Sequence, residues 1–307
     1  MTSLKVAFVG SGGAAKGLAH LGVLKACEEL GIHPRIYVGT SAGALVAATY
    51  GQDVPLDVLL DAYRLPWRRR HQGPRLYASA FLGAPSLREL FDPGHLLSGA
   101  FSLHNLERYL RTTLPINDFS RLPHQVFVTA VDIDSGQRVV FGPGYDEATP
   151  LSQAVVASNA IPGLFRPFRI RDRYYVDGQV SRTLSADVAV AAGADVVIIS
   201  NLYRPEQDRS EVRSVARRGV GTVLRQSFNV LLTEKEKRGV ELLSKSYPHV
   251  TFIDVAPDVG GYGYFNRFAA RSLVLRGYRQ ALRALASAKE RGVFEALPPR
   301  EGSFRMN

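Results

Sequence analysis

The stretch "RIYVGTSAGALVAATY", residues 35–50, joins an apolar run to an alanine-rich run through a serine with small neighbours. Residues 36–40 are typical of a buried strand, and the residues from 42 onward are typical of a helix. Gly-x-Ser-x-Gly at such a junction is the pattern of a nucleophile elbow, in which Gly39 and Gly43 permit a sharp turn that exposes Ser41. An ordinary turn serine remains the alternative when these five residues are taken alone.

Strands and helices are predicted to alternate around this turn. "LKVAFVG" (4–10) has the composition of a buried strand, and "GLAHLGVLKACEEL" (17–30) has apolar residues near helical spacing before Gly31. The order strand–helix–strand–helix predicts an α/β fold with a mainly parallel sheet covered by helices. Further elements are predicted along the chain: a hairpin at 125–141 around "DSGQ", strands at 195–200 and 250–255, and helices within 211–247 and 265–292.

Length and composition indicate a soluble globular protein. The chain has 307 residues, of which 46% are hydrophobic and 21% charged, so it can bury a large core. Residues 64–122, rich in Pro, Gly and Arg, interrupt the alternation and are interpreted as a cap or insertion within one domain spanning 1–307. A single cysteine, Cys27, excludes an internal disulfide framework and favours a reducing compartment. Without a signal peptide or an apolar run of ~18 residues, we expect a cytoplasmic protein, soluble or peripheral to a membrane.

A net charge of +10 favours anionic partners, although genome composition or heat adaptation would also explain it. We expect no nucleic-acid partner, because no zinc finger, RNP motif or basic heptad array is present. "WRRRH" (67–71) suits contact with anionic headgroups, with a solvated arginine cluster as the alternative. The apolar residues of 77–103 fit an acyl-chain pocket or lid, or an ordinary cap core. No metal-binding motif is found, so we expect neither metal nor cofactor.

A glycine-rich loop, "GSGGAAKGLAH" (10–20), follows the first predicted strand. Its small residues allow a substrate to approach backbone N–H groups, as in an oxyanion hole or a phosphate cradle, and Lys16 adds a positive charge. Gly10, Gly12 and Ala15 also have the spacing of a dinucleotide-binding turn. That interpretation is disfavoured, because the elbow stands where the ribose-binding acid belongs.

An aspartate ends a short predicted strand in "YYVDGQV" (174–180), directly before Gly178. An Asp-Gly turn is the alternative, but a nucleophilic serine needs a base, and Asp177 is a candidate. Ser41, Asp177 and His249 follow the chain order of an ordinary triad. His249 precedes a predicted strand, however, and is therefore expected at the opposite edge of the sheet. None of the seven histidines lies in a sequence context that is typical of a catalytic base: His20, His33, His71, His95, His104, His124 and His249.

Together these patches resemble the patatin-like phospholipase family. Its glycine-rich loop, its Gly-x-Ser-x-Gly elbow and its distant Asp-Gly have counterparts in "GGAAKG" (12–17), "GTSAG" (39–43) and "DG" (177–178). "VVASNAIPGLFRPF" (155–168) extends the similarity, which covers most of the chain outside about 64–122 and 203–247.

The resemblance implies a three-layer α/β/α sandwich and a Ser-Asp dyad without a catalytic histidine. It makes Ser41 the nucleophile and Asp177 the base. The oxyanion hole is then formed by the backbone N–H groups of Gly12, Gly13 and Ala14. The residues that support the loop and the elbow are small or basic: Lys16, Gly17, Gly39, Gly43 and Gly178.

Two departures from the family pattern affect these expectations. Ala14 stands where the family usually has a third glycine, a minor change if its φ is negative. "VSRTLSADV" (180–188) replaces the commoner "NPLPV" and is expected to alter the pocket wall or the substrate preference.

The expected function is therefore that of a serine lipid acyl hydrolase, of phospholipase A, lysophospholipase or carboxylesterase type. Its partners would be lipid or acyl-ester substrates and, peripherally, an anionic membrane. A lipid- or acyl-binding regulatory pseudoenzyme and a dinucleotide-binding protein are the alternatives. Headgroup preference and oligomeric state are not predicted by these patterns.

Overall fold

The computed structural model describes residues 4–56, 58–59, 98–203, 214–259 and 269–295. The strands in these ranges are β1 Val6–Gly10, β2 Ile36–Thr40, β3 Gly99–Phe101, β4 Gln125–Asp132, β5 Gln137–Phe141, β6 Gly163–Phe165, β7 Phe168–Ile170, β8 Arg173–Asp177, β9 Val196–Ser200 and β10 Thr251–Val255. The α-helices are α1 Leu18–Glu29, α2 Ala42–Tyr50, α3 His104–Thr113, α4 Leu151–Ser158, α5 Ala186–Ala191, α6 Val220–Ser246 and α7 Ala270–Glu290.

Eight of these strands form one mainly parallel sheet, which confirms the predicted fold class. β10, β9, β1, β2 and β4 are adjacent in that order and all parallel. β5 and β8 both pair with β4 in the antiparallel sense, and β7 pairs with β8. The predicted hairpin is β4 and β5. β3 and β6 form a separate two-stranded sheet.

Helices cover both faces of the large sheet, giving three layers. Side chains alternate along β1, so that Val6 and Phe8 join one core while Ala7 and Val9 join the other. Helices α1, α2, α4 and α7 contribute to the first core. Helices α5 and α6 contribute to the second, with Val240 and Leu243 of α6 packed against it. This is the α/β/α sandwich that the family resemblance implies.

The helices α1 and α7 cross with their backbones in contact. A Cβ atom added to Gly22 would lie 2.0 Å from the Val274 carbonyl oxygen. A Cβ atom added to Gly277 would lie 2.0 Å from the Ala19 carbonyl oxygen. Glycine is therefore required at both positions, because any side chain would push the helices apart.

The expected cap is described only in part. Residues 64–97, including "WRRRH" and most of the apolar stretch 77–103, lie outside the described residues. Within 98–122, Leu106 and Leu110 of α3 are buried in the core that α4 shares. This part packs on the body of the protein. None of the helices in the described ranges is both long and apolar enough to cross a membrane.

Candidate functional site

Two strands meet end to end along one edge of β4. β2 pairs with residues 125–129 of β4, and β8 pairs with residues 130–132. β5 pairs with residues 128–132, so it occupies the other edge. Thr40 lies opposite Thr129, and Asp177 lies opposite Ala130. Because β2 and β8 run in opposite directions, their carboxyl ends come together, and Ser41 lies beside Asp177.

The turn after β2 has the geometry of a tight elbow. Ser41 has φ 54° and ψ −120°, a conformation that residues other than glycine rarely adopt. A Cβ atom on Gly39 would lie 2.3 Å from the Gly43 oxygen, and one on Gly43 would lie 2.2 Å from the Gly10 oxygen. Both glycines are therefore needed for the turn to pack against β1.

The end of α4 holds the backbone of Ser41. The Ser41 N–H donates to the Ser158 hydroxyl at 2.8 Å, and this hydroxyl donates to the Thr129 carbonyl at 2.7 Å. The Asn159 side-chain amide donates to the Ser41 carbonyl at 3.0 Å. No sequence motif predicts a role for Ser158 or Asn159, although both lie in the stretch 155–168 that resembles the family.

The Asp177 carboxyl group is buried beside the serine, and each of the two residues is 1% exposed. Burial raises the pKa of Asp177 to about 7, and contacts with the Ser41 side chain and the Gln179 N–H offset part of that effect. The Ser41 Oγ has no partner among the described residues at the distance and angle of an ordinary hydrogen bond. Its contact with the Asp177 carboxyl group is therefore close but poorly aligned. Such contacts often improve only when a substrate is bound. A carboxyl group with this pKa is ionised in part at neutral pH and can take up a proton.

Gln179 lies between Asp177 and the glycine-rich loop. Its backbone N–H donates to Oδ1 of Asp177 at 3.0 Å, and its side-chain amide lies 3.4 Å from Oδ2. Its Oε1 accepts a hydrogen bond from the Tyr203 hydroxyl. A Cβ atom on Gly12 would lie 1.8 Å from its Nε2, so this side chain is packed on the loop. In the sequence, the only indication that Gln179 belongs to the site is its position two residues after Asp177.

The loop after β1 places Gly12, Gly13 and Ala14 next to the elbow. The Gly12 N–H donates to Thr183 Oγ1 at 3.1 Å. Ala14 has φ 47°, whereas replacement of the family's third glycine by alanine would be a minor change only at a negative φ. The alanine therefore takes a left-handed conformation that glycine adopts more easily. Thr183 belongs to the divergent segment 180–188, which therefore contacts this loop.

The supporting residues are at the contacts between loop, elbow and β4. Lys16 is buried. A Cβ atom on Gly17 would lie 2.5 Å from Ala42 Cβ, so the loop packs closely on the elbow helix. A Cβ atom on Gly178 would lie 2.4 Å from the Thr129 oxygen. These close approaches leave room only for small residues.

No described histidine bonds to Ser41 Oγ. His20 is buried behind the elbow, with Nδ1 2.7 Å from Ser200 Oγ and Nε2 2.8 Å from the Ser11 carbonyl oxygen. Because a carbonyl only accepts, we assign the proton to Nε2; burial lowers the pKa of His20 to about 4, which keeps the ring neutral. His249 is exposed and precedes β10, at the opposite edge of the sheet from Ser41, as predicted. His71 and His95 lie outside the described residues.

Comparison with known proteins gives one family and several distant relatives. The family model described as "Patatin-like phospholipase" matches residues 8–190, which include every candidate site residue. The uncharacterized NTE family protein Rv1063c of Mycobacterium tuberculosis is 26% identical over 205 residues, covering 67% of this chain and 51% of that protein. Patatin-like phospholipase domain-containing protein 6 of Mus musculus is 26% identical over 200 residues, covering 64% of this chain and 13% of that protein. The chain thus spans about half the length of the mycobacterial relative.

Among solved structures, VipD from Legionella pneumophila aligns with a TM-score of 0.47 and 14% identity, covering 93% of this chain and 67% of that one. The type III effector protein ExoU aligns with a TM-score of 0.41 and 14% identity, covering 92% of this chain and 53% of that one. The fold assignment rests on the strand pairing described above.

Proposed function

The chain belongs to the patatin-like phospholipase family, and on that premise we propose that it hydrolyses carboxylic ester bonds of lipids through Ser41 and Asp177. The observation that carries the proposal is the pair itself: a buried serine in a strained elbow beside a buried carboxyl group with a pKa of about 7. We propose phospholipids, lysophospholipids or simpler carboxylic esters as the substrate classes.

In the first step, the Ser41 oxygen attacks the ester carbonyl carbon while the Asp177 carboxylate accepts the serine proton. An ordinary aspartate, with a pKa of about 3.9, would be a weak base at neutral pH. The buried setting of Asp177 brings its proton affinity closer to what the reaction needs. The tetrahedral intermediate then collapses, the alcohol part of the lipid leaves with a proton from Asp177, and an acyl-serine remains.

Stabilisation of the tetrahedral oxyanion is assigned to backbone N–H groups of Gly12, Gly13 and Ala14. One well-placed donor of this kind is worth about 3 kcal/mol in the transition state. The Gly12 N–H is bonded to Thr183, so its participation requires exchange of that bond for one to the oxyanion. In the second step, Asp177 takes a proton from water, which attacks the carbonyl carbon of the acyl-serine. The bond to the Ser41 oxygen then breaks, Asp177 returns the proton to that oxygen, and the fatty acid is released.

The test is replacement of Ser41 by alanine in the purified chain. Ser41→Ala should fold, should lose labelling by a fluorophosphonate probe, and should lower kcat/KM on p-nitrophenyl butyrate by roughly a thousandfold or more. Ser152→Ala is the matched control, because Ser152 is equally buried in α4 and its hydroxyl bonds to the side chains of Asn117 and Glu107 instead of the elbow. Labelling of Ser41→Ala at the wild-type level would reject Ser41 as the nucleophile.

The substrate class is tested by mass spectrometry of fatty acids released from mixed phospholipid and lysophospholipid vesicles. Release that depends on Ser41 would support the lipid hydrolase. Hydrolysis of the short ester without any release from lipids would narrow the activity to a carboxylesterase. Lipid binding with neither labelling nor turnover would support the regulatory alternative.

A further inference from the structure

The helix α6 is much longer than the sheet it packs on. Its 27 residues span about 40 Å, whereas five-residue strands such as β1 span about 17 Å. Val240 and Leu243, in its second half, pack against the sheet, and the helix leads into the start of β10. α6 therefore runs towards the amino edge of the parallel strands, and its first half lies towards the carboxyl edge, where Ser41 is.

One hydrogen-bonded contact marks the level of the site along α6. Glu236 is buried and accepts a hydrogen bond from the Thr183 N–H at 2.8 Å. Thr183 in turn accepts the hydrogen bond from Gly12. Because the helix rises about 1.5 Å per residue, its first residue, Val220, lies about 24 Å along the axis from Glu236.

That first half of α6 presents apolar side chains away from the protein. Asn229 and Glu236, seven residues apart and so on one side, are both buried. The opposite side carries a stripe of exposed large hydrophobic residues: Val220, Leu224, Phe228 and Leu231. A surface helix normally turns its apolar side inward, so this stripe is reversed.

The charges along the same segment have one sign. Residues 214–233 contain three arginines, Arg217, Arg218 and Arg225, and no aspartate or glutamate. Acidic residues begin at Glu234, and both signs are mixed in the second half of the helix. Apolar residues combined with only positive charge are the composition of a helix that lies in the interface of an anionic membrane.

We propose that the first half of α6, with Val220, Leu224, Phe228 and Leu231, binds the surface of an anionic lipid bilayer beside the active site, together with the positively charged residues just before it. We call this segment the docking half of α6. The stripe inserts at the level of the headgroups, and the net positive charge of residues 214–233 attracts the anionic surface. The inference rests on the proposed function, since a lipid hydrolase must take its substrate from such a surface. A second copy of the chain is a poorer occupant, because it would bring a second set of arginines and no acids to the same segment.

The experiment compares Leu231→Glu with Leu242→Glu, both in a Ser41→Ala background that prevents hydrolysis of the vesicles. Leu231 and Leu242 are 64% and 66% exposed on the same helix, so the two substitutions are matched in chemistry and exposure. We measure co-sedimentation with vesicles of phosphatidylglycerol and phosphatidylcholine and with vesicles of phosphatidylcholine alone. Leu231→Glu should lower the partition coefficient on the anionic vesicles by roughly tenfold, whereas Leu242→Glu should leave it near the parent value.

Equal binding by the two variants would overturn the proposal. It would also fail if Leu231→Glu changed the oligomeric state in size-exclusion chromatography with light scattering and left binding intact, because the stripe would then be a contact between copies. Hydrolysis of p-nitrophenyl butyrate by Leu231→Glu with Ser41 restored should match wild type. The soluble assay tests the active site independently of the vesicles. A variant that loses vesicle binding and keeps full ester turnover has an intact active site and a defect only in the docking half.

Discussion

Burial is what distinguishes Asp177 from an ordinary aspartate. Its carboxyl group lies in the interior with an aligned backbone donor from Gln179, and burial dominates the resulting rise of its pKa. In the proposed mechanism, two properties of the protein, its rate and its stability, depend on pH through this group.

The first property is the rate. Because the base must be ionised, kcat/KM on p-nitrophenyl butyrate should rise as pH increases through about 7. An imidazole would give a limb in the same range, so the pH profile is repeated at several temperatures. Ionisation of a carboxyl group releases or absorbs little heat, and the midpoint should stay nearly constant. A midpoint that falls steeply on warming, as for an imidazole, would assign the limb to a histidine.

The second property is the stability of the fold. The folded state holds the Asp177 proton up to about pH 7, whereas the unfolded chain releases it near pH 3.9, so this group lowers stability progressively between those values. Asp177→Asn removes the ionisation, and the variant should be more stable than wild type at pH 8, by up to about 4 kcal/mol. The difference should shrink as pH falls towards 4. Urea unfolding at both pH values measures it, and a constant difference would contradict the assigned pKa.

Gln179 offers a test of crowding at the site. Gly12→Ala places a methyl group where the Gln179 amide lies, so the amide must move away from Asp177. A displacement of this size near reacting groups should lower kcat/KM by roughly a hundredfold. Adding Gln179→Gly to that variant removes the clash and should restore most of the loss. If the double variant stays as slow as Gly12→Ala, the defect arises in the loop backbone and Gln179 has no part in it.

The sequence predicted Ser41 and Asp177 as candidates because local motifs carry the signal for both. It did not predict Thr183 or Ser158 as neighbours, since their hydrogen bonds join segments far apart in the chain. The packing of Gln179 on Gly12 likewise joins distant segments. The sign of φ at Ala14 was likewise not predictable, because alanine occupies left-handed conformations only where the surrounding structure imposes them.

At the level of elements, apolar runs and glycine stops were sufficient to predict β1, α1, β2 and the β4–β5 hairpin. The direction of β8 was not predictable in the same way. β8 is a five-residue strand with no helix between it and β7, and its own residues do not determine which strand it pairs with or in which sense. The end-to-end meeting of β2 and β8 is consequently visible only in the structure.

The crossing of α1 and α7 should tolerate no side chain at its glycines. Gly22→Ala should lower the free energy of unfolding by about 3 kcal/mol, because the added methyl group meets a backbone oxygen that cannot move independently. Gly239→Ala is the control: Gly239 is also in a helix, but the added atom would be 3.8 Å from its nearest neighbour, Arg182. There the substitution should stabilise by about 0.5–1 kcal/mol. If Gly22→Ala and Gly239→Ala changed the free energy of unfolding in urea by the same amount, α1 and α7 would have to be able to move apart at no cost.

For the whole molecule, the sheet continues past the segment that the family model matches. That match ends at residue 190, yet β9 pairs with β1 along its full length and α7 packs on α1. A chain ending at residue 193 would keep every candidate site residue and lose both of these supports. The fold thus depends on residues that carry none of the site.

A chain truncated after Gly193 should therefore be insoluble or lack fixed tertiary structure, since the apolar β1 becomes an unpaired edge. Near-ultraviolet circular dichroism, the soluble fraction after expression and ester turnover are the measurements. A chain ending at Glu295 keeps every element named above and should behave as the full chain does. A soluble, active 1–193 fragment would show that β9, β10 and α7 are dispensable.

The shared edge of β4 has a consequence for how proteins of this kind change length. The separation of Ser41 and Asp177 is set by the neighbouring residues Thr129 and Ala130 of β4, and the end of α4 holds the backbone of Ser41. The lengths of the loops that join these elements do not enter. Loops between these elements can be lengthened, shortened or exchanged without moving either side chain, provided that β4 keeps its register and α4 its contacts with the elbow. Sequence spacing between the two motifs is then a poor criterion for detecting relatives, and the pairing register of β4 is the better one.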